Sequence, residues 1–256
     1  MIDARALVDP SARLAEDVSV GPFAVIGADV EIGAGCVIGP HATIQGPTRI
    51  GRDNRIFQYA SLGGIPQDMK YQGERTWLEI GDRNTFFEFV TVNRGTRQAG
   101  GKTVIGSDNW IMAYVHVAHD CLIGDHAILA NNTTLAGHVI IGDWAALGGF
   151  TKVHQFCHIG RHSFTGMNVD LTRDVPPYVM IAGTPAEPRG INSEGLRRRG
   201  FTAAQIRNVK NAYRLLYRSE LRLEQAREQL GALAASQPEL VCLVEFLDKS
   251  ERSITR

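Results

Sequence analysis

The chain has no surplus of charge: 27 basic side chains stand against 27 acidic ones in 256 residues. Nucleic-acid-binding domains carry a basic excess for phosphate contact, so that class is excluded and no nucleic-acid partner is expected. Long apolar runs are missing as well; none approaches the roughly 18 residues that a membrane-spanning helix needs, so no transmembrane segment is expected. The start, Met1-Ile2-Asp3-Ala4-Arg5, lacks the basic-then-apolar layout of a secretory leader and points to a cytoplasmic protein. Cysteine is scarce. Cys36, Cys121, Cys157 and Cys242 are scattered with no CxxC pair, which suits neither a zinc clip nor a disulfide framework. Glycine alone is in excess, at 27 residues, and without low complexity that excess implies many repeated tight turns.

The turns have a period, and it is six. An aliphatic residue falls at Ile2, Val8, Leu14, Val20, Ile26, Ile32, Ile38, Ile44, Ile50, Ile56 and Leu62 without exception. After a break the phase returns at Ile80, Phe86 and Val92; after a second it resumes from Ile105 to Ile159. Helices and strands repeat at 3.6 and 2.0, so neither alone gives six. A short strand plus a turn does. Three such units make an 18-residue coil of triangular section, and stacked coils pair as parallel strands. Alternation then buries each aliphatic residue and the small residue two before it, which places Cys36, Cys121 and Cys157 inside as inert thiols. Glycine often follows the aliphatic residue, where a bend of unusual φ is expected. The interruptions at about 64–79 and 93–104 are polar and glycine-containing, the character of loops that project as ligand arms.

The hexads end near Asp174-Val175-Pro176-Pro177, dividing the chain into a β-helix over 1–190 and a helical domain over 191–256. Thr202 with Gln205, and Ser236 with Glu239, have capping-box spacing. Basic residues crowd this end, among them Arg197, Arg198, Arg199, Arg207, Lys210 and Arg214.

Stacking arithmetic selects three of the eight histidines. Val117, Leu135 and Val153 are 18 residues apart and so share one edge of successive coils. His119, His138 and His154 follow them within three residues, which brings all three to one outer corner, with Asp120, Gly137 and Gln155 close by. Imidazoles converging there suit metal ligation or general acid–base work.

The stretches His116-Val117-Ala118-His119-Asp120-Cys121, Asn131-Asn132-Thr133-Thr134-Leu135-Ala136-Gly137-His138, Val153-His154-Gln155-Phe156-Cys157 and Glu194-Gly195-Leu196-Arg197-Arg198-Arg199-Gly200-Phe201 carry a resemblance that runs end to end. The chain resembles the UDP-N-acetylglucosamine O-acyltransferase family, hexapeptide-repeat enzymes of lipid A (lipopolysaccharide) biosynthesis whose parallel β-helix is left-handed. The resemblance implies a homotrimer that moves a (R)-3-hydroxyacyl group from the phosphopantetheine of acyl carrier protein to the 3-hydroxyl of UDP-N-acetylglucosamine. It implies no metal and no other cofactor. Position by position, His119 matches the general base, Asp120 its orienting carboxylate and Gly137 the backbone donor to the oxyanion. His116 is supportive, His138 matches a contact to the glucosamine, and His154 and Gln155 match the acyl and pantetheine path. Gln67, Asp68 and Lys70 match sugar and nucleotide contacts; Asn192, Glu194, Arg198 and Arg199 match positions around uridine and diphosphate. Met167 falls at the family's acyl-length ruler, where members with glycine admit longer chains, and implies a donor of about ten carbons.

The chain departs from the family in reading Asn93-Arg94-Gly95-Thr96 where many members have His-Arg-Gly-Thr. Two alternatives use the same prism: a γ-type zinc carbonic anhydrase with His116, His119 and His138 as ligands, and another hexapeptide acyl- or acetyltransferase.

Overall fold

The computed structural model describes residues 1–250 and 252–256. Strands of mostly two residues form three sheets of nine, eight and ten strands, and from Val25–Ile26 to Asp170–Leu171 each strand pairs with the third one before it. Val117 pairs with Leu135 and Leu135 with Val153, so the 18-residue circuit holds. Pairing is parallel throughout, apart from the final hairpin of Val179–Ala182 with Glu187–Ile191. The two insertions are absorbed without loss of register: Leu62 pairs with Val92, and Val92 with Val117. Strands resume at Trp77 and Lys102, so the free loops are 65–76 and 94–101, narrower than the polar stretches read from the sequence.

The aliphatic column and the small residue two before it fill the prism, and Cys36, Cys121 and Cys157 are fully buried within it. Burial pushes the Cys121 thiol up to about 12, which keeps it protonated. Two further inward positions, Thr165 and Leu171, continue the repeat past Ile159. Thr165 escapes the aliphatic pattern because its hydroxyl has internal partners, the Gly148 amide and Thr151 Oγ1. Asn54, Asn84 and Asn109 occupy the small inward position on consecutive coils. Asn54 Oδ1 accepts from the Asn84 amide, and Asn84 Oδ1 from that of Asn109, a polar ladder inside an apolar core.

The bends are not where the glycines suggested. Left-handed backbone occurs three residues before the aliphatic one, at Phe23, His41, Tyr59, Phe89 and Tyr114 on one corner, with φ between 58° and 64°. Their rings stack at centroid spacings of 4.9–5.2 Å, which offsets part of the conformational cost. The glycines after the aliphatic residue answer a different need. A Cβ on Gly33, Gly51, Gly81 or Gly106 would lie 2.7 Å from the carbonyl oxygen of the next glycine in the column. Close stacking of coils, not φ, requires these four, whereas Gly63 after Leu62 does take a left-handed φ of 77°.

Four helices close the far end: α1 (Ser193–Arg198), α2 (Ala203–Tyr217), α3 (Leu223–Ala234) and α4 (Val241–Lys249). Thr202 and Gln205 form the expected reciprocal capping box. Ser236 and Glu239 do not: Ser236 Oγ turns back to the Leu233 carbonyl, and Pro238 opens a 3-10 turn behind Gln237. Tyr213 of α2 joins the prism core and donates to the Pro188 carbonyl, fixing the helices to the last hairpin.

Candidate active site

The corner between the nine-stranded and eight-stranded sheets carries Asp120, His138 and Phe156 at the left-handed position of successive coils (φ 63°, 63° and 66°). His119 precedes Asp120, and Gly137 lies 18 residues on, directly beside it. A Cβ at Gly137 would sit 2.7 Å from His119 Cε1 and 2.9 Å from Nε2, so the imidazole occupies the space that this glycine leaves.

Asp120 is the hub. Its side chain is 1% exposed and accepts from His119 Nδ1 at 2.7 Å, from the Thr96 amide at 2.7 Å and from Thr96 Oγ1 at 2.7 Å. A buried carboxylate held by three donors is fixed in orientation. It assigns the proton of neutral His119 to Nδ1 and leaves Nε2 with a free lone pair beside Gly137, the geometry of an oriented general base. The Gly137 amide donates to no acceptor among the described residues, so it is free to receive an oxyanion.

His138 meets His119 edge-on, with centroids 5.2 Å apart, and stacks on Phe156 at 4.4 Å. Burial holds its pKa below the usual imidazole range; Asp120 opposes that shift, His119 adds to it, and Asp68 opposes it weakly. Asp68 thus belongs to the same electrostatic neighbourhood, and its Oδ1 caps the Lys70 amide at the loop tip. Gln67 and Lys70 are exposed there. His116 faces outward on the strand before the corner, with Nδ1 2.7 Å from Thr91 Oγ1, and burial lowers its pKa.

Other residues singled out by sequence lie elsewhere. His154 does not join the imidazole pair. It sits one residue past its strand, where the carboxy-terminal segment reaches it: Arg252 Nη1 lies 2.6 Å from His154 Nδ1 and 2.6 Å from the Gln155 carbonyl oxygen. The corner therefore gathers two imidazoles and a carboxylate, not three imidazoles. Met167 is 73% exposed on another corner, between the nine-stranded and ten-stranded sheets. Asn192 caps α1, accepting from the Gly195 amide and donating to the His162 carbonyl. Glu194 pairs with Arg197 and Arg198. Arg199 lies over the Trp144 ring and 3.3 Å from His162 Nδ1. This group lines a groove of about 700 Å³ with Ile128, Phe164 and Met180, on the outer face of the ten-stranded sheet. That face is opposite the His119 corner in the triangular section.

Sequence reading missed Thr96, Trp144 and His162. Thr96 had a signal, since it stands in the Asn93–Thr96 motif of a recognised loop. Trp144 and His162 are spaced by 18 and could have been found by the same stacking arithmetic that chose His119.

His119, Asp120 and His138 also bring three ligand-type atoms within 4.8 Å of one another, the spacing of a metal site. The ligand set differs from the one imagined for zinc, because Asp120 and not His116 joins the two imidazoles.

Comparison with known proteins separates these readings. Bacterial transferase hexapeptide repeats match residues 11–46 and 102–137, and the second domain of UDP-N-acetylglucosamine O-acyltransferases matches 174–255. The acyl-(acyl-carrier-protein)-UDP-N-acetylglucosamine O-acyltransferase of Stutzerimonas stutzeri is 54% identical over 256 residues, covering 100% of this chain and 99% of its relative. That of Halorhodospira halophila is 57% identical over 255 residues, with the same coverage. Among solved structures, LpxA from Acinetobacter baumannii superposes with a TM-score of 0.97 at 46% identity, over 100% of this chain and 99% of that one. The UDP-N-acetylglucosamine acyltransferase of Francisella novicida gives 0.98 at 41%, over 100% and 94%. The fold is the left-handed parallel β-helix of hexapeptide repeats with a carboxy-terminal helical part, and the chain belongs to the acyl-(acyl-carrier-protein)-UDP-N-acetylglucosamine O-acyltransferase family of enzymes.

Proposed function

We propose that the chain transfers a (R)-3-hydroxyacyl group from acyl carrier protein to the 3-hydroxyl of UDP-N-acetylglucosamine, in lipid A synthesis in the cytoplasm. His119 Nε2 takes the proton as the sugar oxygen attacks the thioester carbonyl. The tetrahedral oxyanion is met by the Gly137 amide, and its collapse expels the pantetheine thiolate, which takes up the proton held on His119 Nε2. No acyl-enzyme forms. The observation that carries this reading is the His119–Asp120 pair, with Nε2 free and a vacant amide beside it.

Two features extend the proposal. The arginine groove and the His119 corner lie on opposite faces of one prism, so a single copy cannot place both on one nucleotide sugar; a homotrimer, with sites between neighbours, can. Met167 follows His119 by 48 residues, two and two-thirds coils, or about 13 Å along the axis. That is on the order of an extended ten-carbon chain, which supports its place as the ruler. Basic residues of α2, Arg207, Lys210 and Arg214, supply charge for the acidic carrier protein.

Turnover of UDP-N-acetylglucosamine with 3-hydroxydecanoyl-acyl carrier protein tests the reading. His119→Ala should lose about 10²–10⁴-fold in kcat, the span of general base catalysis, without loss of fold by circular dichroism. Undiminished turnover in that variant would refute it, and light scattering that gives a monomer mass would refute the shared site.

A further inference from the structure

The second loop, 94–101, was read as a ligand arm, yet the side chains at its start bond inward. Asn93 Nδ2 donates to the Ile65 carbonyl, and the Arg94 guanidinium to the Gly46 and Gly63 carbonyls and to Tyr71 Oη, tying this loop to the first. Gly95 passes so close to Lys102 that a Cβ would lie 2.2 Å from its amide nitrogen. The result is to deliver Thr96, 1% exposed, onto Asp120. The Thr96 amide donates to Oδ1 and its hydroxyl to Oδ2, the same oxygen that receives His119 Nδ1. A carboxylate bound through both oxygens cannot rotate about its terminal torsion. Without the threonine, Oδ1 and Oδ2 would exchange at His119, and Nε2 would lose its fixed aim.

We propose that Thr96 is a positioning residue for acyl transfer: it clamps Asp120 through both carboxylate oxygens, so that His119 is held in one tautomer and one orientation against the attacking hydroxyl. The proposal rests on the reading of His119 as general base. It predicts an effect on the chemical step and none on the affinity for nucleotide sugar, since Thr96 is enclosed by protein.

The experiment compares Thr96→Val and Thr96→Ser by steady-state kinetics with UDP-N-acetylglucosamine and 3-hydroxydecanoyl-acyl carrier protein. Valine keeps the volume and the backbone donor but removes the hydroxyl bond to a charged acceptor. It should lower kcat by roughly 10- to 100-fold and leave KM for the sugar nucleotide within twofold. Serine restores the hydroxyl and should keep kcat within threefold of the parent. In an Asp120→Ala background, Thr96→Val should cause no further loss, because the carboxylate through which it acts is gone. Full turnover in Thr96→Val, a change confined to KM, an additive loss on top of Asp120→Ala, or a serine variant as impaired as valine would each overturn the proposal. Serine keeps the test decisive even where valine fails to fold. Full turnover in His119→Ala would sink the general-base reading itself, whereas loss there with an intact Thr96→Val would sink only the clamp.

Discussion

Replacing Gly137 by alanine separates the two roles assigned to that position. The backbone amide is kept, so any oxyanion contact survives. What changes is the space occupied by His119. The new Cβ would stand 2.7 Å from His119 Cε1 and 2.9 Å from Nε2, where ordinary contact begins at 3.4 Å. The ring must retreat by about 0.7 Å, and it is anchored at the other end by a 2.7 Å bond from Nδ1 to Asp120 Oδ2. Asp120 cannot follow, since Thr96 holds both of its oxygens. The bond therefore stretches or bends out of hydrogen-bond geometry, a loss of about 1.5–3 kcal/mol for a charged acceptor. Sub-ångström misplacement of the base at the reacting centre gives a fall in kcat of about 100-fold. Thermal stability should fall by less than the lost bond alone implies. Gly137 has no left-handed φ to preserve, and the lower unfolded-state entropy of alanine, about 0.4–1 kcal/mol, offsets part of the strain. Steady-state kinetics beside a melting curve checks both halves. If kcat is unchanged with the chain folded, the ring does not need this gap, and the account of the pair fails.

On the proposed reading of Met167 as the ruler, Met167→Gly should open the end of the acyl path without disturbing the core, because the side chain is 73% exposed in one copy. Fourteen-carbon donors should gain about 100-fold relative to ten-carbon ones, at roughly 0.8 kcal/mol for each of three or four methylenes; competition between graded acyl carrier protein donors reads this, and an unchanged preference rejects the ruler. His162 gives a pH prediction. Burial, then the charges of Arg199 and Arg161, lowers its pKa from 6.5 to about 4. The unfolded chain thus binds this proton before the native one does, so the stabilisation is complete above pH 6.5 and is lost as pH falls toward 4. The contribution is at most ~3 kcal/mol, and screening at a half-buried ring reduces it. His162→Phe, which keeps the stack between Trp144 and Tyr178, should flatten the fall in melting temperature between pH 7 and 4.5; an identical slope would exclude His162 as a source.

The prism was legible because one rule, an inward side chain every six residues, is written more than twenty times. Each repeat constrains the same column, so no local exception could hide it. The site was legible only as far as it follows that rule. Gly137 meets His119 because they are 18 apart, and His138 meets the carboxylate of Asp120 for the same reason. His154 failed the arithmetic by a single position: residues one, two and three beyond the strand round the corner in different directions, and only the latter two reach the pair. Thr96 was out of reach of the stacking arithmetic, and only its motif marked it, since its 24-residue separation from Asp120 reflects an insertion whose path the repeat does not specify. The glycines misled for a related reason. Sequence carries their frequency but not which demand they meet, and here the demand is 2.7 Å of clearance between coils. What a solenoid offers catalysis follows from this contrast. In the proposed mechanism the coil supplies a base and an amide at a spacing set by backbone pairing, while a loop outside the register supplies the clamp that selects one orientation. Changing the loop can retune the base without touching the frame, and changing the frame by one residue would move every group below it to the wrong face.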